Sequence, residues 1–125
     1  MKFGVIGNTN KPIVKEVAGN VIEYFQAKRI TYVIHDELGR WINGTGNRSL
    51  VDNTVMCKGS EIARNCDILI ALGGDGTMLM AARMVGEQGT PILGVNLGKL
   101  GFLAEVSADE IQECLEDILS RSYVL

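Results

Sequence analysis

Residues 73–77 read Gly-Gly-Asp-Gly-Thr and join two apolar segments. Glycines leave no side chain in the way, so backbone N–H groups at such a turn can face an anion. A helix starting here would add about half a unit of positive charge and free N–H donors. The Thr77 hydroxyl is a further donor. Gly73, Gly74, Gly76 and Thr77 together suit a phosphate chain. Asp75 is the odd member, because a carboxylate beside phosphates is repulsive unless it has a task. Two tasks fit its chemistry. It could hold a magnesium ion, directly or through water, or take the proton from a hydroxyl that attacks phosphorus. A purely structural role stands beside these: Asp75 as a helix cap. The turn matches neither G-x-G-x-x-G nor GxxxxGK[ST], which disfavours a dinucleotide-binding dehydrogenase and a Walker-type ATPase.

A second constellation lies about twenty residues on. Residues 95–103 read VNLGKLGFL, with Asn96, Gly98, Leu100, Gly101 and Phe102 following an apolar run. Asn96 offers both a donor and an acceptor. Gly98 and Gly101 allow close backbone approach, and Phe102 offers a flat face to a base or packs in the core. Lys99 reads as a solvated lysine or a phosphate contact. Two glycine-rich strand ends support a ligand crevice better than either alone. Asn8, after the first apolar run, belongs at the crevice edge.

These residues need elements to position them. Apolar runs at 2–7, 30–34, 66–72 and 90–95 predict strands, with a shorter one at 101–106. Residues 11–29 carry apolar positions at three- and four-residue spacing, with Pro12 suited to the first turn of a helix. Residues 76–86 read as a helix apolar on most faces, buried on more than one side. Met78, Met80 and Met84 read there as core filler. Ser107 and Glu110 form a capping box ahead of Ile111, Cys114, Leu115, Ile118 and Leu119 on one helical face. Residues 39–49 (GRWINGTGNRS) read as a loop in which Trp41 is a pinning residue, and 59–65 as a short helix. His35-Asp36 reads as a solvated strand end. Strands apolar on both faces, alternating with helices, predict an α/β fold: a doubly wound, mostly parallel sheet with helices on both faces.

Composition narrows the function class. The 125 residues are 46% apolar and 22% charged, the balance of an ordinary globular domain, with net charge −3. No basic run or aromatic platform points to nucleic acid, and no segment approaches the roughly 20 apolar residues of a membrane span. Cys57, Cys66 and Cys114 form no CxxC pair, and with His35 as the one histidine a zinc site is disfavoured. The first residues lack a secretory pattern. The expectation is a cytoplasmic protein with three reduced thiols.

GGDGT at 73–77 together with NLGKLGFLAEV at 96–106 resembles the N-terminal half of NAD kinases, whose domain is phosphofructokinase-like. GGDGT alone is shared with diacylglycerol and sphingosine kinases and phosphofructokinases; NLGxLGFL after it is the more specific part. The resemblance implies transfer of the terminal phosphate of ATP, or of polyphosphate in some members, to the 2′-hydroxyl of the adenosine ribose of NAD, with magnesium or another divalent cation. It implies Asp75 as proton acceptor, Asp75 and Gly76 against NAD, and Asn96 and Phe102 bordering the nucleotide site. It also implies that residues 1–125 are one α/β domain at the N-terminal end of a longer, homo-oligomeric protein. The β-rich C-terminal domain of that protein would bring an asparagine–acidic motif and much of the NAD pocket, so the 125 residues alone would be inactive. Met80 stands where some members have a basic residue that helps hold NAD. Two other readings remain: a lipid kinase of the diacylglycerol type, and a non-catalytic nucleotide-binding module.

Overall fold

The computed structural model describes residues 1–44, 50–97, 111–113 and 115–116. Its centre is a five-stranded sheet in the order β3-β2-β1-β4-β5, every pair parallel. The strands are β1 (Lys2–Gly7), β2 (Thr31–His35), β3 (Met56–Cys57), β4 (Ile68–Gly73) and β5 (Ile92–Asn96). Successive residues point to opposite faces, and both faces are buried. Phe3, Val5, Tyr32, Ile34, Ile70 and Leu72 join one apolar cluster, while Ile6, Val33, Leu69 and Ala71 join another.

Helices cover the two faces. α1 (Pro12–Lys28) and α2 (Asp36–Asn43) lie with the first cluster, through Val14, Ile22, Phe25 and Leu38. α3 (Gly59–Ile62), which continues as a 3-10 turn over Ala63–Asn65, and α4 (Asp75–Val85) lie with the second, through Ile62, Ala63, Ala81 and Val85. Topology gives the reason. From β1 through α1, β2, α2 and β3 the chain steps one way across the sheet. β4 then returns to the other side of β1, and β5 continues away. A crossover between parallel strands is right-handed, so reversing the direction of travel moves the helices to the opposite face. The reversal creates a switch point between β1 and β4, where ligands bind in such sheets.

The doubly wound sheet matches the sequence-based expectation, with boundaries shifted by one or two residues. Residues 39–43 differ: they complete α2 instead of a loop. Asp36 and Glu37 lie in its first turn, where carboxylates complement the helix dipole. Gly39 sits inside the helix because the Met56 side chain packs over it, about 3.1 Å from where a Cβ would stand. Trp41 and Ile42 pack against the same cluster as α1, and Lys15 Nζ lies 5.9 Å from the centre of the Trp41 ring. The two-residue strand β3 had no sequence signal. Residues 111–113 and 115–116 are helical, and Ile111 and Leu115 are buried in the first cluster, as the apolar face at 111–119 predicts. The strand expected at 101–106, the capping box and Cys114 lie outside the described residues. Among the described residues no helix is long and apolar enough to cross a membrane.

α1 is seated tightly at its N-terminal end. A Cβ at Gly7 would lie 2.7 Å from Val14 Cγ1 and 3.4 Å from the Leu72 carbonyl oxygen. Val14 is fully buried and stiff about its first side-chain torsion, so it has little room to yield. Gly7→Ala is expected to destabilise the fold by about 1–3 kcal/mol, seen as a lower urea midpoint with unchanged slope. An unchanged midpoint would mean that β1 and α1 are not packed this closely.

Candidate functional site

The turn between β4 and α4 is built around a buried hydroxyl. Thr77, in the first turn of α4, is only 5% exposed. Its side chain lies against Gly73: a Cβ at residue 73 would stand 2.9 Å from Thr77 Cβ and closer still to Oγ1. Gly73 also has φ +157, a conformation L-residues rarely adopt. Residue 73 must therefore be glycine for two independent reasons. Backbone hydrogen bonds then tie this end of β4 to both neighbours. Asn8 N–H donates to the Leu72 carbonyl at 3.0 Å, and Leu97 N–H donates to the Gly73 carbonyl at 2.8 Å. The Gly74 carbonyl accepts from Thr77 and Met78 N–H, both at 3.1 Å, and opens the helix.

Gly74 and Gly76 are different. The backbone at Gly74 is extended (φ −128, ψ −155), and the nearest atom to a Cβ there is Lys11 Nζ at 3.8 Å. A Cβ at Gly76 would meet nothing within 4 Å among the described residues outside its own stretch of helix. Among those residues neither backbone angles nor packing demand glycine at these two positions. What they provide is bare backbone at the start of α4, where the first N–H groups have no partner inside the helix.

Asp75 is the first residue of α4, not its cap; the cap position is Gly74 and has no side-chain hydrogen bond. As a first-turn carboxylate it complements the helix dipole instead of capping the helix. Its side chain is exposed, and among the described residues no hydrogen bond or ion pair engages the carboxylate.

Asp75 stands on a divide between two hollows. On the β1 side is an open crevice of about 460 Å³, bounded by residues 8–11 after β1, His35 at the end of β2, Glu37, and 74–77 with Met80. On the β5 side is a small hollow of about 10 Å³ formed by Gly73, Gly74, Asp75, Met78, Gly94, Val95 and Asn96. Gly74 and Asp75 line both. A side chain in that position can face two bound molecules at once, which is the arrangement a group transfer needs.

Among the residues singled out from sequence, Asn8, Gly74, Asp75, Gly76 and Thr77 meet in the crevice, and Gly73 and Asn96 meet Asp75 in the smaller hollow. Asn8 Oδ1 accepts from Asn10 N–H at 2.9 Å, which shapes the loop after β1. Gly98, Lys99, Leu100, Gly101 and Phe102 lie outside the described residues. His35 departs from the solvated strand end expected of it: its side chain is 12% exposed, and it forms part of the crevice wall. Asp36 turns away into local contacts, accepting from Glu37 N–H at 2.8 Å and pairing with Arg40 at 3.5 Å. Lys11 and Glu37 are crevice residues that sequence reasoning missed. Nothing in their local pattern marks them, since a solvated charge flanking a helix start looks the same.

Comparison with known proteins bears on family and fold. Residues 3–123 match the family model described as the ATP-NAD kinase N-terminal domain. The chain is 35% identical over 122 residues to an NAD kinase from Geobacter sp. (strain M21), covering 98% of this chain and 40% of that protein. It is 33% identical over 125 residues to an NAD kinase from Bacteroides fragilis, covering 100% of this chain and 42% of that protein. The chain thus spans about 40% of the length of these curated relatives. Its fold is similar to that of a yeast NADH kinase solved with NADH (TM-score 0.78, 22% identity, 96% of this chain and 38% of that one). It is also similar to an NAD kinase from Archaeoglobus fulgidus solved with ATP (TM-score 0.61, 20% identity, 97% of this chain and 38% of that one).

The contrast among the turn glycines is measurable. Gly73→Ala should lower stability by roughly 1–3 kcal/mol, because strain and overpacking act together. Gly76→Ala should leave it unchanged or raise it by up to about 1 kcal/mol, since alanine is the better helix former. Thermal denaturation of the two variants checks both. Equal losses would contradict the open space around Gly76.

Proposed function

The chain belongs to the ATP-NAD kinase family, and on that premise we propose that it supplies the phosphoryl-transfer half of an NAD kinase. In this reading the terminal phosphate of ATP passes to the 2′-hydroxyl of the adenosine ribose of NAD, giving NADP and ADP. The observation that carries it is the placement of Asp75: exposed, unpaired among the described residues, and flanked by two glycines that no contact among those residues requires.

The chemistry follows from that placement. The 2′-oxygen attacks the terminal phosphorus, the bond from that phosphorus to the bridging oxygen of ADP breaks, and the hydroxyl proton goes to the Asp75 carboxylate. Such a transfer needs chiefly orientation and charge neutralisation. Asp75 orients the hydroxyl, and the bare N–H groups at the start of α4 face the developing negative charge. Asn96, beside Asp75 in the smaller hollow, is placed to hydrogen-bond the acceptor. By the family resemblance Gly98, Leu100, Gly101 and Phe102 contribute to nucleotide binding.

Magnesium fits this site in a limited way. Among the described residues no group of three His, Cys, Asp or Glu side chains could hold a metal ion. Magnesium takes one or two carboxylates together with substrate phosphates and water. Asp75 would supply one such ligand, directly or through water, and the donor's phosphates most of the rest. When bound, the ion would neutralise charge on those phosphates. Polyphosphate as donor uses the same phosphate chemistry. The remainder of the NAD pocket belongs, in this reading, to a β-rich domain beyond these 125 residues.

Two substitutions in the full-length protein carrying this chain test the proposal. Asp75→Asn keeps shape and exposure, so stability should stay within about 0.5 kcal/mol. The kcat for NADP formation should fall by about 10²-fold or more. Gly76→Ala should reduce turnover without loss of stability. Wild-type-like turnover by Asp75→Asn would overturn the proton-acceptor role. Phosphorylation of diacylglycerol instead of NAD by the wild type would overturn the substrate.

A further inference from the structure

The crevice must accept a highly charged group, yet two of the side chains that line it, Asp75 and Glu37, are carboxylates. Among the described lining residues, Lys11 is the one with a permanent positive charge. Its Nζ lies 3.8 Å from where a Cβ would stand on Gly74, so it reaches across from the β1 loop to the turn that carries Asp75. Among the described residues Lys11 makes no ion pair, with Asp75, Glu37 or any other carboxylate. Lys11 is partly buried between two strand ends, and among the described residues no carboxylate pairs with its ammonium, which leaves that charge available to a bound anion.

Its base is held rigidly. Lys11 N–H donates to the Asn8 carbonyl at 3.2 Å, and the Lys11 carbonyl accepts from Val14 N–H at 3.0 Å. Pro12 follows and restricts Lys11 to extended backbone, as found (φ −113, ψ 114). The loop, the start of α1 and the proline together fix where the side chain leaves the backbone. Only its four-carbon stem remains to be ordered on binding.

We propose that Lys11 is a positioning residue for the phosphate donor: its ammonium holds the terminal phosphates of ATP in the β1–β4 crevice, against the bare backbone of Gly74. The proposal rests on the NAD kinase reading and assigns the larger hollow to the donor and the smaller, Asn96 side to the acceptor hydroxyl. At about 460 Å³ the crevice lies within the range of small-molecule sites, whereas the hollow on the Asn96 side, about 10 Å³, has room for little more than one oxygen-sized group such as a hydroxyl. Asp75 between them then meets the hydroxyl from one side and the phosphorus from the other.

Lys11→Ala and Lys11→Arg in the full-length protein test it, with two readouts. Steady-state kinetics give KM separately for ATP and NAD, and calorimetry gives the affinity for a non-hydrolysable ATP analogue without turnover. Losing a charge-assisted contact should raise the KM for ATP and weaken analogue binding by about tenfold or more in Lys11→Ala. The KM for NAD should stay within about twofold, and Lys11→Arg should recover most of the loss because it keeps the charge. Unchanged analogue affinity, a rise confined to the KM for NAD, or an arginine variant no better than alanine would each overturn the proposal. Should the wild type form no NADP, the NAD kinase reading fails. Analogue binding still decides the role of Lys11.

Discussion

The contact between the Thr77 side chain and the bare Cα of Gly73 determines what the rest of the site can be. It lets β4 end and α4 begin within two residues, and it needs glycine at 73 on grounds of both space and backbone angle. Because the turn is this short, Asp75 becomes the first helical residue and cannot act as the cap. Its carboxylate is left facing outward while the backbone around it stays open. Hydrogen bonds from Asn8 and Leu97 tie the same strand end to β1 and β5. The position of Asp75 is therefore set by three strands at once.

Topology adds the space. Reversal of strand order between β1 and β4 opens a crevice at the carboxyl ends of the strands. The two apolar clusters on either face of the sheet keep those strand ends in register. On the first face Phe25 stacks with Phe3 at 5.2 Å between ring centres and lies 5.5 Å from Tyr32, joining α1 to β1 and β2. The polar rim, Asn8 to Lys11, His35 and Glu37, comes from a loop, a strand end and a first helical turn. A rigid apolar frame with variable loops above it is how such sheets support different chemistries.

Much of this was legible in the chain because strands buried on both faces leave continuous apolar runs. The β1, β2, β4 and β5 segments and the glycine-rich turn after β4 could be read directly. So could the meeting of Asp75 with Asn96, since both follow strands whose neighbours are helices. The strand order was not readable, because pairing β4 with β1 instead of β3 depends on contacts more than sixty residues apart. α2 was hidden by Gly39 and Gly44, which punctuate its sequence; Met56 and the face of α1 stabilise it only after folding. Lys11 and Glu37 were invisible for a similar reason. A charge pointing into water and a charge pointing into a crevice have the same local sequence, and only the approach of β1 to β4 separates them.

In the proposed reading Asp75 separates two substrates, with a phosphate donor on the β1 side and an acceptor hydroxyl on the β5 side. A crystal structure of the full-length protein with NAD and a non-hydrolysable ATP analogue bound together measures this most directly. The expected result is the adenosine-ribose 2′-hydroxyl of NAD within about 3 Å of an Asp75 carboxylate oxygen, and the terminal phosphate across the turn beside Gly74 and Lys11. Either nucleotide bound away from residues 73–77, or both on the same side of Asp75, would contradict it.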